Sequence, residues 1–290
     1  MKMFHMTLPR WEDASLEGYI LDCKLPYGQE TARPAVIVIP GGGYVYCSDA
    51  EAEPVALRYT SAGFHAFILR YSIGFRASEK RPLNQLSWVI GYLRENAAQW
   101  NIDPEKIVVC GFSAGGHLAL HSGVAAEHKP NAMILGYPAT SAPSWPGFDF
   151  MLKLLTGKQT VIKEDEQDFD LVPQITKDTP PVFMMATAQD ALTPFGALAV
   201  AKKYSDLGRE YELHIFQYGP HGLSLADATS AEGSIRKLDT AFAQWHALSV
   251  QWLHKLFGSL TFEDKSTSKM GKYLAELGIT MPGGPVPKHG

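Results

Sequence analysis

Lys106-Ile-Val-Val-Cys110 runs directly into Gly111-Phe112-Ser113-Ala114-Gly115, and then into the helical Gly116-His117-Leu118-Ala119-Leu120. A serine between a buried strand and a helix must point its hydroxyl out of a backbone bend too tight for a Cβ two positions to either side, and glycine at both flanks meets that demand. The bend also sets Ser113 at a helix N-terminus, where free N–H groups favour growing negative charge. That is the arrangement of a serine nucleophile.

Similar β-branched runs recur at Ala35–Ile39, Ala66–Leu69, Ala132–Leu135, Pro181–Met185 and Glu212–Phe216. Largely apolar, they predict strands covered on both faces. Helical stretches separate them: Glu53–Ala62, Pro82–Trp100 and Phe195–Leu207, the last stopped by Gly208. The alternation predicts an α/β fold with one doubly wound, mostly parallel sheet flanked by helices. Two short strands, Phe4–Leu8 and Tyr19–Leu25, are expected to form a hairpin at a sheet edge, and Ser234–Phe257 reads as a long helical segment. The rhythm breaks over 138–180, a proline-rich lid-like insertion or surface excursion whose acidic run Glu164-Asp165-Glu166 is expected to start a helix. The division predicted is one domain over 1–258 and an extension over 259–290 with a short helix at Lys269–Leu277.

Composition excludes several function classes. The 290 residues are 46% hydrophobic and 19% charged, with 26 Lys+Arg against 30 Asp+Glu, and without the clustered basic residues of a nucleic-acid binder. The apolar runs are strand-sized, so no membrane span is expected. Three cysteines do not make a disulfide framework in a chain this long, and the start shows no export pattern; the expected address is the cytoplasm.

A serine hydroxyl needs a base, and the base needs a carboxylate to orient it. His221, in the glycine-flanked Gly219-Pro220-His221-Gly222 after the last strand-like run, is placed to hang over the sheet's edge. Asp190 follows the strand Pro181–Ala186 in the same way, whereas Asp227 comes after the histidine. The order Ser113, Asp190, His221 is the one expected of groups hanging from successive strand ends. His117 and His121 stand four apart, but the glutamate of a zinc helix and a third ligand are missing, so no metal site is read there. The glycines of Pro40-Gly41-Gly42-Gly43-Tyr44, after the strand Ala35–Ile39, bare their amides toward a ligand. They read as half of an oxyanion hole completed by Ala114, or as a phosphate cradle, the latter weakened by the lack of a following Gly-Lys-Ser/Thr.

At these residues the chain resembles the α/β-hydrolase superfamily and its esterase/lipase group, with acetyl-xylan-esterase-like and hormone-sensitive-lipase-like members. The likeness runs from about Pro34 to Phe257 and includes Ser48, Glu51, Glu53 and Pro54 after the glycines, and Asn101-Ile-Asp-Pro104 before the serine turn. It implies Ser113 as nucleophile, His221 as general base, Asp190 as its orienter, and Gly42, Gly43 and Ala114 as oxyanion donors. It implies no cofactor and, as partner, a small-molecule ester, plausibly an acetylated sugar. A serine peptidase of the same fold and a non-catalytic binding protein are the alternatives, and homo-oligomerisation is left open. Tyr44 and Tyr46 either wall the substrate pocket or are ordinary packing. The histidine usual before the glycines is here Pro40, so other contacts are expected to hold the loop.

Overall fold

The computed structural model describes residues 1–22, 32–140, 148–193 and 195–258, together with Tyr273 and 276–279. Eight strands form one sheet: β1 (Lys2–Leu8), β2 (Trp11–Ile20), β3 (Arg33–Ile39), β4 (His65–Arg70), β5 (Ile102–Phe112), β6 (Ala132–Gly136), β7 (Val182–Thr187) and β8 (Tyr211–Phe216). Their spatial order is β1-β2-β4-β3-β5-β6-β7-β8, with β1 and β2 antiparallel and β3 to β8 parallel. The helices are α1 (Glu53–Ser61), α2 (Arg81–Glu95), α3 (Ala97–Trp100), α4 (Ala114–Ala125), α5 (Phe148–Thr156), α6 (Lys163–Phe169), α7 (Gly196–Asp206) and α8 (Trp245–Phe257). From β3 the chain steps outward to β4, then returns past β3 to β5 and continues to the other edge. The reversal falls between β3 and β5, and a crevice opens outside the carboxyl ends of strands at such a point.

The central strands are apolar because both faces are covered. Val36, Ile37, Val38, Ile39, Val108 and Val109 are fully buried, and each such side chain contributes about 1.5–3 kcal/mol relative to exposure. Helix α4 is buried on nearly every side and approaches β6 closely: a Cβ on Gly123 would lie 2.4 Å from the Met133 sulfur.

The predicted α/β architecture is present, and several elements differ from expectation in extent. The second strand of the hairpin is Trp11–Ile20, not Tyr19–Leu25, of which 23–25 lie outside the described residues. Gly18, which reads as a breaker, sits inside the strand opposite Phe4, whose ring covers it: a Cβ there would lie 2.3 Å from Phe4 Cε1. The stretch 82–100 is two helices that meet at Asn96, whose backbone and side-chain amides both donate to the Tyr92 carbonyl, at 3.1 and 2.9 Å. In 234–257 only α8 is an α-helix. Short 3-10 turns precede it, the second started by the Asp239 carboxylate accepting the Phe242 amide at 2.6 Å. The acidic run does start a helix, α6, where Asp165 accepts the Ile162 amide at 3.1 Å. Most of 269–277 lies outside the described residues. Among the described residues, no helix is long and apolar enough to cross a membrane.

The core also encloses histidines. Burial lowers the pKa of His65, His117 and His246 from 6.5 to about 4. His65 accepts the Leu21 amide on Nδ1 and His117 has both ring nitrogens hydrogen-bonded, so both fold as neutral rings. The unfolded chain therefore binds more protons below pH 6.5, and stability must fall as pH drops toward about 4, by at most about 1.4 kcal/mol per histidine per pH unit. Urea denaturation at pH 7.5 and pH 5.0, above the carboxylate range, is expected to show a lower midpoint at pH 5.0; an unchanged midpoint would contradict the neutral burial of these rings.

Candidate active site

Strand β5 delivers Ser113 to a turn that few residues tolerate, with φ 52° and ψ −116°. The turn closes because its flanks lack side chains. A Cβ on Gly111 would lie 2.1 Å from the Gly115 carbonyl oxygen, and one on Gly115 would lie 2.1 Å from that of Ile39. The crowding expected from the sequence is thus present on both sides. The Ser113 amide donates to the Gly136 carbonyl at 2.9 Å and its carbonyl accepts the His117 amide at 3.0 Å, so the turn is fixed to β6 and to its own helix.

The three predicted side chains meet. His221 Nε2 is 2.8 Å from Ser113 Oγ, and Nδ1 is 2.8 Å from Asp190 Oδ2. The other Asp190 oxygen accepts the amides of Leu192 at 2.8 Å and Thr193 at 3.1 Å, and Thr193 Oγ1 lies 2.9 Å from Oδ2. Asp190 is only 2% exposed. Burial opposes its charge, but the His221 hydrogen bond, the ring's charge and the two amides outweigh that and hold the carboxyl below the usual carboxylate range. An ionised Asp190 keeps a hydrogen on Nδ1 and leaves Nε2 free to take one from Ser113.

The glycine loop at the end of β3 lies beside this chain. Gly42 has φ 122° and a Cβ there would lie 2.2 Å from the Tyr46 carbonyl oxygen, so both backbone angle and space require glycine. Among the described residues no acceptor takes the amides of Gly42 or Gly43, while the Gly42 carbonyl accepts those of Val45 and Tyr46. Ala114 is the first residue of α4, where an amide has no partner within the helix.

With Pro40 in place of the family's usual histidine, other contacts were expected to hold the loop, and several are present. Tyr71 Oη donates to the Pro40 carbonyl at 2.8 Å, Glu51 Oε2 accepts the Gly41 amide at 2.7 Å, and the Ser48 amide donates to the Gly41 carbonyl at 3.0 Å. Tyr44 belongs to this anchoring. It is 1% exposed, and its hydroxyl meets His117 Nδ1 at 2.9 Å while His117 Nε2 meets the Phe169 carbonyl at 3.0 Å. A carbonyl only accepts, so Nε2 carries the hydrogen and Tyr44 donates to Nδ1. Of the two readings left open for Tyr44, pocket wall or packing, its burial and its hydrogen bond to His117 describe packing. Tyr46 is 58% exposed. With both nitrogens of His117 occupied, the ring has no lone pair to offer a metal, and among the described residues no His, Cys, Asp and Glu cluster fits one.

Glu51, Tyr137, Thr193 and Ser224 were not read from the sequence as parts of the site. Glu51 Oε1 accepts the Tyr137 hydroxyl at 2.6 Å, Tyr137 Oη accepts the Ser224 amide at 2.9 Å, and the Tyr137 ring meets His221 edge-on, with centroids 4.9 Å apart. Burial pushes the Glu51 carboxyl up, against the donors on it. The available signal was the place of Glu51 among the residues of the family likeness, eight positions beyond the glycines, between Asp49 and Glu53 and without a basic partner at helical spacing; nothing in the sequence joins Tyr137 to Ser224.

A parallel sheet with a strained serine turn after β5, a glycine loop after β3, an acid after β7 and a histidine after β8 defines a class of hydrolytic fold. The chain belongs to the α/β-hydrolase superfamily, in its esterase group. Residues 21–142 match the family model BD-FAE. The solved structure of MGS-M1, an α/β-hydrolase enzyme from a Medee basin deep-sea metagenome library, is 33% identical with a TM-score of 0.75, over 88% of this chain and 98% of that one. An acetyl ester-xyloside bifunctional hydrolase from Caldicellulosiruptor lactoaceticus is 30% identical with a TM-score of 0.71, over 84% of this chain and 89% of that one. The acetylxylan esterase of Xylanibacter ruminicola is 26% identical over 217 residues, 69% of this chain and 42% of that protein. The chain spans less than half the length of the curated relatives it matches.

The serine turn carries its own prediction. Gly111→Ala and Gly115→Ala each place a methyl against a buried carbonyl oxygen, and each is expected to lower stability by about 3 kcal/mol or to prevent folding. Urea titration measures this; a loss under about 1 kcal/mol would show that the turn can relax.

Proposed function

We propose that the protein is a serine carboxylic-ester hydrolase for short acyl esters, with acetylated sugars such as xylo-oligosaccharides as the substrate class. The reading is carried by the continuous hydrogen-bonded chain from Ser113 Oγ through His221 to Asp190, at 2.8 Å in each link. Ser113 Oγ attacks the ester carbonyl as its proton passes to His221 Nε2, and the ring's positive charge is stabilised by Asp190 across Nδ1. The carbonyl oxygen gains a negative charge, which this reading gives to the amides of Gly42, Gly43 and Ala114 to receive; it is supported by the lack of another acceptor on the two glycine amides among the described residues. The alcohol leaves with the proton from His221, and an acyl group stays on Ser113. Water then gives a proton to the same nitrogen and attacks the acyl carbon; the bond to Ser113 Oγ breaks, the acid leaves, and Oγ takes back the proton from His221 Nε2.

The acetyl and sugar preference draws on what similar proteins are: an acetylxylan esterase and an acetyl ester-xyloside hydrolase. A cytoplasmic address rests on Cys47 and Cys110 being free thiols.

Initial rates on p-nitrophenyl acetate, butyrate and octanoate, together with acetate release from acetylated xylo-oligosaccharides, test both halves. The acetyl ester and the acetylated sugar are expected to be the better substrates. Ser113→Ala is expected to lower kcat by about 10⁴-fold or more with the fold intact. Undiminished turnover in that variant would remove Ser113 from the chemistry, and a preference for octanoate would remove the short-acyl assignment.

A further inference from the structure

Glu51 is 5% exposed, and among the described residues no lysine or arginine hydrogen-bonds it. A buried carboxylate without a cation is costly unless donors are aimed at it. Here two are, from two different parts of the molecule: the Gly41 amide at 2.7 Å, from the loop after β3, and the Tyr137 hydroxyl at 2.6 Å, from the end of β6. Tyr137 extends the connection further. Its oxygen accepts the Ser224 amide, three residues after His221, its ring lies against the His221 ring, and its carbonyl lies 2.9 Å from the Thr193 hydroxyl beside Asp190. A second strut runs parallel, with Ser224 Oγ donating to the carbonyl of Ala50 at 2.6 Å. The packing leaves no slack, since a Cβ on Gly41 would meet Glu51 Oε2 at 2.7 Å and the Phe112 carbonyl oxygen at 2.8 Å.

Resting on the reading of Ser113, His221 and Asp190 given above, we propose that Glu51 is a positioning residue for the reaction: by holding Gly41 N–H and Tyr137 O–H together, it fixes the glycine-loop amides relative to the Ser113–His221 pair. Glu51 does not touch the reacting atoms. Its part is to keep the loop's donors and the histidine in one frame, so that both face the same carbonyl. The arrangement needs an acceptor on each oxygen. Tyr137 has a single hydroxyl hydrogen, given to Glu51, and the Ser224 amide offers it no acceptor. A glutamine at 51 keeps one of the two acceptors and an alanine keeps neither.

The test uses the full chain, with steady-state kinetics on p-nitrophenyl acetate and thermal melts for wild type, Glu51→Gln, Glu51→Ala and Tyr137→Phe. Loss of positioning reaches the transition state more than substrate binding. Glu51→Ala is therefore expected to lower kcat about 100-fold with KM within about threefold. Glu51→Gln is expected to recover about tenfold of that loss. Tyr137→Phe, which keeps the ring on His221 and removes the hydroxyl, is expected to lower kcat about tenfold, and it carries the test with Glu51→Gln should Glu51→Ala fail to fold. Wild-type kcat in the folded Glu51 variants, a loss confined to KM, or a Glu51→Gln enzyme as slow as Glu51→Ala would each overturn the proposal. Labelling with a fluorophosphonate separates the two failures. Wild type that cleaves ester and labels at Ser113 while the Glu51 variants match it overturns the role of Glu51 alone. Wild type that does neither overturns the reading of the site, and this proposal with it.

Discussion

The close approach of helix α4 to the ends of β3 and β5 is the constraint on which the rest of the site depends. It is a backbone-to-backbone contact, made where Gly111 and Gly115 leave no Cβ in the way. Because the helix starts this near the sheet, Ser113 is held in its unusual turn, with its hydroxyl beside His221 Nε2 and with Ala114 as the first residue of α4. The strain of that turn is held by the ladder of β5 against β3 and β6, whose facing residues from Val108 to Gly111 are buried. The topology adds the reversal between β3 and β5, which opens the crevice at the same place.

Around that contact lies a buried polar network in which almost every group has a named partner. Asp190 is surrounded by the donors of Leu192, Thr193 and His221, Glu51 joins Gly41 to Tyr137, and His117 joins Tyr44 to the carbonyl of Phe169 at the end of α6. Such groups contribute little net stability, since each gives up water to gain a protein partner, but they fix geometry because each is expensive to leave unmade. The loops after β3, β6, β7 and β8 are thereby tied to one another as well as to the sheet.

How much of this the sequence revealed follows from the range of the forces involved. Strand and helix alternation, the serine turn, Asp190 and His221 were legible because they obey local rules: hydrophobic period, glycine where a Cβ will not fit, and position at a strand's end. The misread elements are ones where a specific side-chain contact, near or distant in the chain, overrides the hydrophobic pattern. Gly18 reads as a break until Phe4 is known to cover it, and the stretch before α8 reads as helix until Asp239 is seen turning its first residues. Tyr44 reads equally as pocket or packing, and only the position of His117, 73 residues away, decides for packing. Glu51 was visible as one residue of the family likeness but without a role, since its partners Gly41 and Tyr137 converge solely in the fold.

The account turns on whether the hydroxyl of Ser113 and the amides of Gly42, Gly43 and Ala114 address one carbonyl. A crystal structure of the protein after reaction with diethyl p-nitrophenyl phosphate measures this directly. The account predicts one phosphoryl group, bonded to Ser113 Oγ, with its unesterified oxygen within about 3 Å of those amides and His221 Nε2 still beside the serine oxygen. A phosphoryl group on another residue, or one on Ser113 whose free oxygen points away from the three amides, would contradict it.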